Sequence, residues 1–165
     1  METLQHDWEL EQLQALARGL NPFAILEIGV WDGGTLAGWV ESSARLVVGL
    51  DVQFRPGVKE RFANQAVLIE GNCEDLTVLD QIRSWGLYGL IFLDADHQYD
   101  AAKRHWNLYG QLVAPGGVFA FHDIRRYEHG DLDRLWAEIK AEPGSRTVEF
   151  HQNNASWGGI GAVYL

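Results

Sequence analysis

The residues equipped for chemistry sit where apolar runs of the chain end. The first run closes as Glu27-Ile28-Gly29-Val30-Trp31-Asp32-Gly33-Gly34-Thr35, where Gly29 and the Gly33-Gly34 pair let a ligand approach the backbone and the amino terminus of a following helix. Its spacing is not G-x-G-x-x-G and no Gly-Lys-Ser/Thr follows, so a pyrophosphate or triphosphate is poorly provided for. Asp51 ends the next run, 24 residues after Glu27. An acid there can accept hydrogen bonds from both hydroxyls of a ribose, which together with the turn favours an unphosphorylated nucleoside. Gly71-Asn72-Cys73-Glu74-Asp75 closes a third run, with backbone amides and a short amide side chain to frame an adenine edge. Two later runs end in Asp94-Ala95-Asp96-His97-Gln98-Tyr99 and in His122-Asp123, bringing acid and imidazole together. An imidazole with a pKa near 6.5 suits moving a proton at neutral pH.

These residues need a scaffold that gathers strand ends. Leu4, Trp8, Leu13, Leu16 and Leu20 recur at helical spacing and Asn21-Pro22 stops that helix before the apolar run 24–29. A helix over 35–41 and a strand over 45–51 follow, then a strand over 66–71, a helix over 75–85, a strand over 89–96 and a helix over 99–112. A Pro-Gly-Gly turn leads into a strand over 114–123, and 131–142 reads as a helix ended by Pro143-Gly144. The runs 147–152 and 159–165 have no room for a helix between them, so they are expected to pair as an antiparallel hairpin. The architecture is α/β, Rossmann-like and doubly wound: a seven-stranded, mostly parallel sheet with an antiparallel C-terminal strand and helices on both faces. In such a sheet the ligand crevice lies beyond the carboxyl ends of the strands, where the residues above fall. Residues 1–165 read as a single domain, with 1–21 as an N-terminal helix and 22–165 as the core.

Composition narrows the function classes. Thirteen Lys and Arg against 23 Asp and Glu leave a formal charge of −10, which disfavours an unaided grip on nucleic acid. The same balance favours a neutral or cationic acceptor over an anionic one. A lone Cys73 forms no internal disulfide and no thiolate zinc cluster, so a reducing, cytoplasmic setting is expected. The start of the chain has neither a basic n-region nor an apolar signal core, and no window approaches the ~18 apolar residues of a membrane span. Seven Trp are many for 165 residues, and some must lie at surfaces, pockets or interfaces.

EIGVWDGGT, Asp51 and GNCED together resemble the class I S-adenosylmethionine-dependent methyltransferases, over roughly residues 22–165. The resemblance implies that Glu27, Gly29, Gly33, Asp51, Asn72, Cys73 and Asp94 contact S-adenosyl-L-methionine. D-x-D-H-x-Y, P-G-G and F-H-D resemble the branch of macrolide-sugar, catechol and caffeoyl-coenzyme A O-methyltransferases. That resemblance implies a hard cation, Mg²⁺ or another divalent ion, held by Asp94 and Asp123, and the neighbouring His122 is a third candidate ligand of this chain's own. Catechol-type relatives carry Asp-Asn, and sugar-methylating relatives a pair of acids, where this chain has His122-Asp123. Imidazole suits softer ions better than magnesium. His97 stands where relatives place a lysine or histidine base, so His97 and Asp94 are the catalytic candidates for methyl transfer to a small-molecule acceptor, a hydroxyl first. The competing reading is a noncatalytic nucleoside-binding or scaffolding domain. A homodimer that donates a helix or loop would complete an acceptor site for which this chain has little spare length.

Structural roles compete at several positions. Glu27 either contacts ligand or salt-bridges the sheet end, Asp32 and Asp96 double as helix N-caps, and Thr35 is expected to be structural. His122 could instead hydrogen-bond at the sheet edge. His6, His105, His129 and His151 read as ordinary surface or helix residues. Cys73 reads as a small adenine-side or core residue with no cation to stabilise a thiolate. Trp31 and Trp157 suit a pocket wall and a core or interface equally.

Overall fold

A computed structural model describes residues 6–125, 130–152 and 158–165. Leu4, His129 and Trp157 lie outside the described residues. The first helix, α1 (Asp7–Leu20), turns Leu10, Leu13 and Ala17 inward, and Asn21 ends it in the left-handed conformation (φ 47°) just before Pro22. Then follow β1 (Ala24–Ile28), α2 (Gly34–Val40), β2 (Leu46–Asp51), α3 (Val58–Phe62), β3 (Val67–Glu70), α4 (Leu76–Arg83) and β4 (Tyr88–Leu93). The chain finishes with α5 (Tyr99–Tyr109), β5 (Val113–Arg125), α6 (Leu132–Ala141), β6 (Arg146–Phe150) and β7 (Gly158–Tyr164).

The seven strands form one sheet in the order β3-β2-β1-β4-β5-β7-β6. All neighbours pair in parallel except β7, which runs antiparallel to both β5 and β6. The expected hairpin is there, with its second strand inserted beside β5. Strand β1 is buried at every residue because the sheet is covered on both sides. Leu26, Ile28, Ile91, Leu93, Phe119 and Phe121 face α4, α5 and α6, whereas Ile25, Phe92, Val118 and Ala120 face α1, α2 and α3. Strand order reverses between β1 and β4, which opens a crevice at their carboxyl ends.

Two local differences from the sequence expectation have physical causes. Helix α3 has only five residues, too few to show a period, although Val58 and Phe62 are a buried i, i+4 pair. The Pro-Gly-Gly segment does not precede β5 but bulges within it: Tyr88 pairs with Val113 and Leu90 with Val118. That bulge is tied to the C-terminal residue, since the Gly116 amide donates to Leu165 O and the Leu165 amide to Gly117 O (2.6 and 3.1 Å). Among the described residues no helix is long and apolar enough to cross a membrane.

Candidate active site

Where β1 and β4 part, their backbones come close. The Asp94 amide donates to Ile28 O at 2.8 Å, and Gly29 leaves the strand at φ 91°. A Cβ on Gly29 would collide with the Asp94 carbonyl oxygen, so only glycine permits this approach. The chain then turns back over β2. Asp51 Oδ2 accepts hydrogen bonds from the Val30 and Trp31 amides, both at 2.8 Å, and Oδ1 accepts from the Gln53 amide at 3.0 Å. An ionised carboxylate offers about four lone-pair sites, so beside these three backbone bonds one site on Oδ1 remains for a ligand hydroxyl. Trp31, at φ 53° and 53% exposed, carries the Arg55 guanidinium 3.7 Å above its ring.

The result is a cleft of about 510 Å³ lined by Gly29, Trp31, Asp51, Asn72, Cys73 and Asp94 among others. Its far wall comes from the loop after β3 and from α5. Asn72 Oδ1 accepts from the Glu74 amide at 2.9 Å, which shapes the loop and leaves the side-chain NH₂ available. Cys73 Sγ lies 3.1 Å from His105 Nε2, and Tyr109 Oη donates to Cys73 O at 2.8 Å. His105 is 3% exposed and lines the cleft, which corrects its reading as an ordinary helix residue. The signal was the stripe Ala101, Ala102, His105 and Tyr109, all buried on one face of α5. Burial depresses the His105 imidazole pKa despite Glu74 Oε1 at 3.3 Å. Burial, then the Glu74 charge, pushes the Cys73 thiol up to about 11.

A reactivity test follows from that thiol. Between a thiol at the ordinary 9.0 and one near 11, the thiolate fraction at pH 8 differs roughly 90-fold, partly offset by the greater nucleophilicity of the more basic thiolate. Iodoacetamide should therefore alkylate Cys73 at least about tenfold more slowly than glutathione at pH 8, and faster as pH rises toward 11. Mass spectrometry reads the rate, and labelling at the glutathione rate at pH 8 contradicts the burial assigned to Cys73.

Beside the cleft, β4 and β5 end in a compact cluster. One nitrogen or oxygen from each of Asp94, His97, His122 and Asp123 lies within 4.8 Å of the others. His97 Nε2 is 3.0 Å from Asp123 Oδ2 and 3.5 Å from Asp94 Oδ1, and His122 Nδ1 is 3.2 Å from each of those two oxygens. Successive strand residues normally point to opposite faces, yet His122 and Asp123 both reach this cluster. Asp123 does so because it sits at φ 57°, where the β5–β7 register shifts between His122 and Arg125. A non-glycine residue in the left-handed region carries local backbone strain.

The charges in the cluster hold one another in place. Burial lowers the imidazole pKa values, but contact with the two carboxylates outweighs it and lifts His97 to about 9 and His122 to about 10. Burial likewise raises Asp94 and Asp123, and the two imidazoles more than reverse this, leaving both below the usual carboxylate range. Glu27 behaves differently. It is 1% exposed, shares the sheet face of Ile25 and Phe92, and is absent from the cleft lining. Burial, then the charge of Asp94, raises its pKa well above normal, and Oε2 has no hydrogen-bond partner.

The remaining candidates have local roles. Gly33, at φ 80°, is the residue before α2 and backs onto the Phe62 ring rather than the cleft. Asp32 Oδ1 accepts from the Gly34 amide at 3.1 Å, and Thr35 is buried. Asp96 lines the cleft and accepts from the Gln98 amide at 2.9 Å, but the first amide of α5, Tyr99 N, donates to Asp131 Oδ1 instead. His6 and His151 are half-buried, the latter 3.0 Å from an Arg125 guanidinium nitrogen.

A protein-family model described as a methyltransferase domain matches residues 26–124, from within β1 to one residue beyond Asp123. The chain belongs to the methyltransferase-domain family. The matched stretch of this methyltransferase domain holds the whole cleft lining and all four cluster residues. Solved structures share its fold. An O-methyltransferase from Bacillus cereus, solved in complex with SAH, is 22% identical at a TM-score of 0.73, covering 97% of this chain and 82% of the other. TomG from Streptomyces achromogenes, an O-methyltransferase involved in tomaymycin synthesis and solved with SAM, is 16% identical at 0.73, covering 94% and 78%. MycE from the mycinamycin biosynthetic pathway, solved with Mg and SAH, is 21% identical at 0.71, covering 98% and 50%. Among curated proteins, the uncharacterized protein R132 of Acanthamoeba polyphaga mimivirus is 24% identical over 135 residues, 70% of this chain. The match spans 60% of that relative's length.

Proposed function

We propose that this methyltransferase domain transfers the methyl group of S-adenosyl-L-methionine to a hydroxyl of a small-molecule acceptor. One observation carries the reading: Asp94 belongs both to the wall of the nucleoside-sized cleft and to the acid–imidazole cluster. A sulfonium methyl group held in the cleft would therefore lie next to groups able to hold and deprotonate an acceptor. Names of structural relatives solved with SAM or SAH agree with the cofactor, and the Mg in MycE agrees with a cation.

The residues divide the work. The Gly29 turn offers close backbone approach to the methionine portion, and Asp51 accepts a hydrogen bond from a ribose hydroxyl. Asn72, Cys73 and His105 border the adenine. Asp94, His122 and Asp123 suit a divalent cation: both ring nitrogens of His122 are buried without hydrogen-bond geometry, although Nδ1 is 3.2 Å from two carboxylate oxygens. A cation bound there would acidify an acceptor hydroxyl. His97 takes the hydroxyl proton at Nε2. A cation held by Asp94 and Asp123 would offset the carboxylate charge that lifts the His97 pKa and would so favour the neutral, basic imidazole. Alignment of the acceptor oxygen with the S–CH₃ axis supplies much of the remaining rate gain.

Calorimetry with S-adenosylmethionine and S-adenosylhomocysteine tests the reading. Both should bind with dissociation constants of roughly micromolar order, and Asp51→Ala should weaken both by at least about tenfold, or 1.4 kcal/mol. Absence of binding at millimolar concentration by the folded protein would overturn the assignment. Binding without methyl transfer to any member of a hydroxyl-acceptor panel would favour a noncatalytic cofactor-binding role.

A further inference from the structure

The cluster at the ends of β4 and β5 presents a mixed donor set. Magnesium calls for oxygen ligands in near-ideal octahedral array, usually with several waters retained. At this site two of the four convergent side chains are imidazoles, and that of His122 cannot swing aside. His122 is 2% exposed, packs edge-on to Phe92 at a centroid distance of 6.5 Å, and sits in the sheet opposite Ile160. Neither ring nitrogen makes a hydrogen bond of good geometry, and the ion pairs of Nδ1 with the two carboxylates are contacts that a shared cation would replace. Its Nδ1 lies 3.2 Å from Asp94 Oδ1 and 3.2 Å from Asp123 Oδ2 without being aligned on either oxygen. For ligand bonds of about 2.1 Å, neighbouring donors stand about 3.0 Å apart in an octahedron and about 3.4 Å apart in a tetrahedron. The spacing admits any small dication, and the nitrogen decides among them.

We infer that this site selects a borderline first-row dication of the Zn²⁺, Co²⁺ or Fe²⁺ class over Mg²⁺, with His122 as the residue that sets the preference. The inference rests on the cluster being a cation site, as proposed above. An imidazole lone pair binds these ions strongly and magnesium poorly, whereas the two carboxylates serve either class. His122 is thus a discriminator and Asp94 and Asp123 are the common anchors. The left-handed bend at Asp123 is what lets two consecutive strand residues act on one ion.

The experiment compares metal-free protein titrated with Co²⁺ and with Mg²⁺ by calorimetry, with visible absorption of Co²⁺ as a second readout. The parent protein should bind Co²⁺ at least about 100-fold more tightly than Mg²⁺. Most sites favour Co²⁺ somewhat, so the deciding quantity is the change in that ratio. His122→Asp should lower the Co²⁺/Mg²⁺ affinity ratio at least about tenfold and shift the Co²⁺ spectrum, while Mg²⁺ binding persists or strengthens. Should the buried aspartate prevent folding, judged by circular dichroism, His122→Asn removes the imidazole at smaller cost and should lower the ratio likewise. An unchanged ratio in the folded variant, or no Co²⁺ binding at millimolar concentration, overturns the inference. S-adenosylhomocysteine titrated into the same samples separates the two readings. Cofactor binding without His122-dependent metal choice overturns the metal inference alone. Metal choice without cofactor binding overturns the methyltransferase reading alone.

Discussion

Gly29→Ala should unfold at a markedly lower temperature than the parent and should lose binding of S-adenosylhomocysteine. Two costs combine. The residue holds φ at 91°, which an L side chain rarely adopts, and its new methyl group would meet the Asp94 carbonyl oxygen. Backbone strain of about 1–3 kcal/mol and overpacking of about 1–3 kcal/mol give a loss of about 2–6 kcal/mol. For a chain of this length that corresponds to a fall of roughly 4–24 °C in Tm. The obstacle is main chain on β4, so relief requires β1 and β4 to move apart where the cleft is built. Calorimetric melting and ligand titration measure both effects. A variant that melts within about 2 °C of the parent and binds the ligand normally would show that β1 and β4 do not approach as described.

Asp123→Asn should separate catalysis from cofactor binding. Asparagine tolerates the left-handed backbone at φ 57° and matches aspartate in shape, so the bend in β5 should survive. What disappears is the negative charge 3.0 Å from His97 Nε2 and 3.2 Å from His122 Nδ1. Divalent-cation affinity should fall, and with any hydroxyl acceptor that the parent methylates, kcat should drop about 10²–10⁴-fold, the usual range for losing positioned proton transfer. Asp123 does not line the cleft, so the dissociation constant of S-adenosylhomocysteine should stay within about threefold. Turnover at the parent rate would remove Asp123 from the mechanism. A matching collapse of cofactor binding would instead mark it as a structural support of the cleft.

Much of the architecture was legible because a doubly wound sheet is written in local patterns. Short apolar runs alternate with amphipathic ones, turn residues separate them, and right-handed crossovers leave few ways to assemble the result. The same logic located the cleft. Once Gly29, Asp51, Cys73 and Asp94 are known to end parallel strands, their convergence at the reversal of strand order follows from topology. The five residues of α3 were not legible, because a helix of little more than one turn shows no period.

The site's finer chemistry depended on contacts between distant segments. His105 looked like any helix residue until α5 was docked with that face against Cys73. Asp96 had the sequence position of a cap, but Asp131 arrives from 32 residues away to take the Tyr99 amide. Glu27 stands two residues before Gly29, and strand alternation turns its carboxyl to the face beneath the turn, where burial raises its pKa.

The amino-acid sequence by itself determined which residues end the parallel strands, and hence that glycines, acids and imidazoles gather at one edge of the sheet, because strand order and crossover hand obey local rules. Only the tertiary structure decided which of them share a face and touch. The register shift opposite β7 and the left-handed Asp123 exist because antiparallel pairing, burial and mutual charge stabilise a backbone conformation that aspartate tolerates but the β pattern of the run does not select.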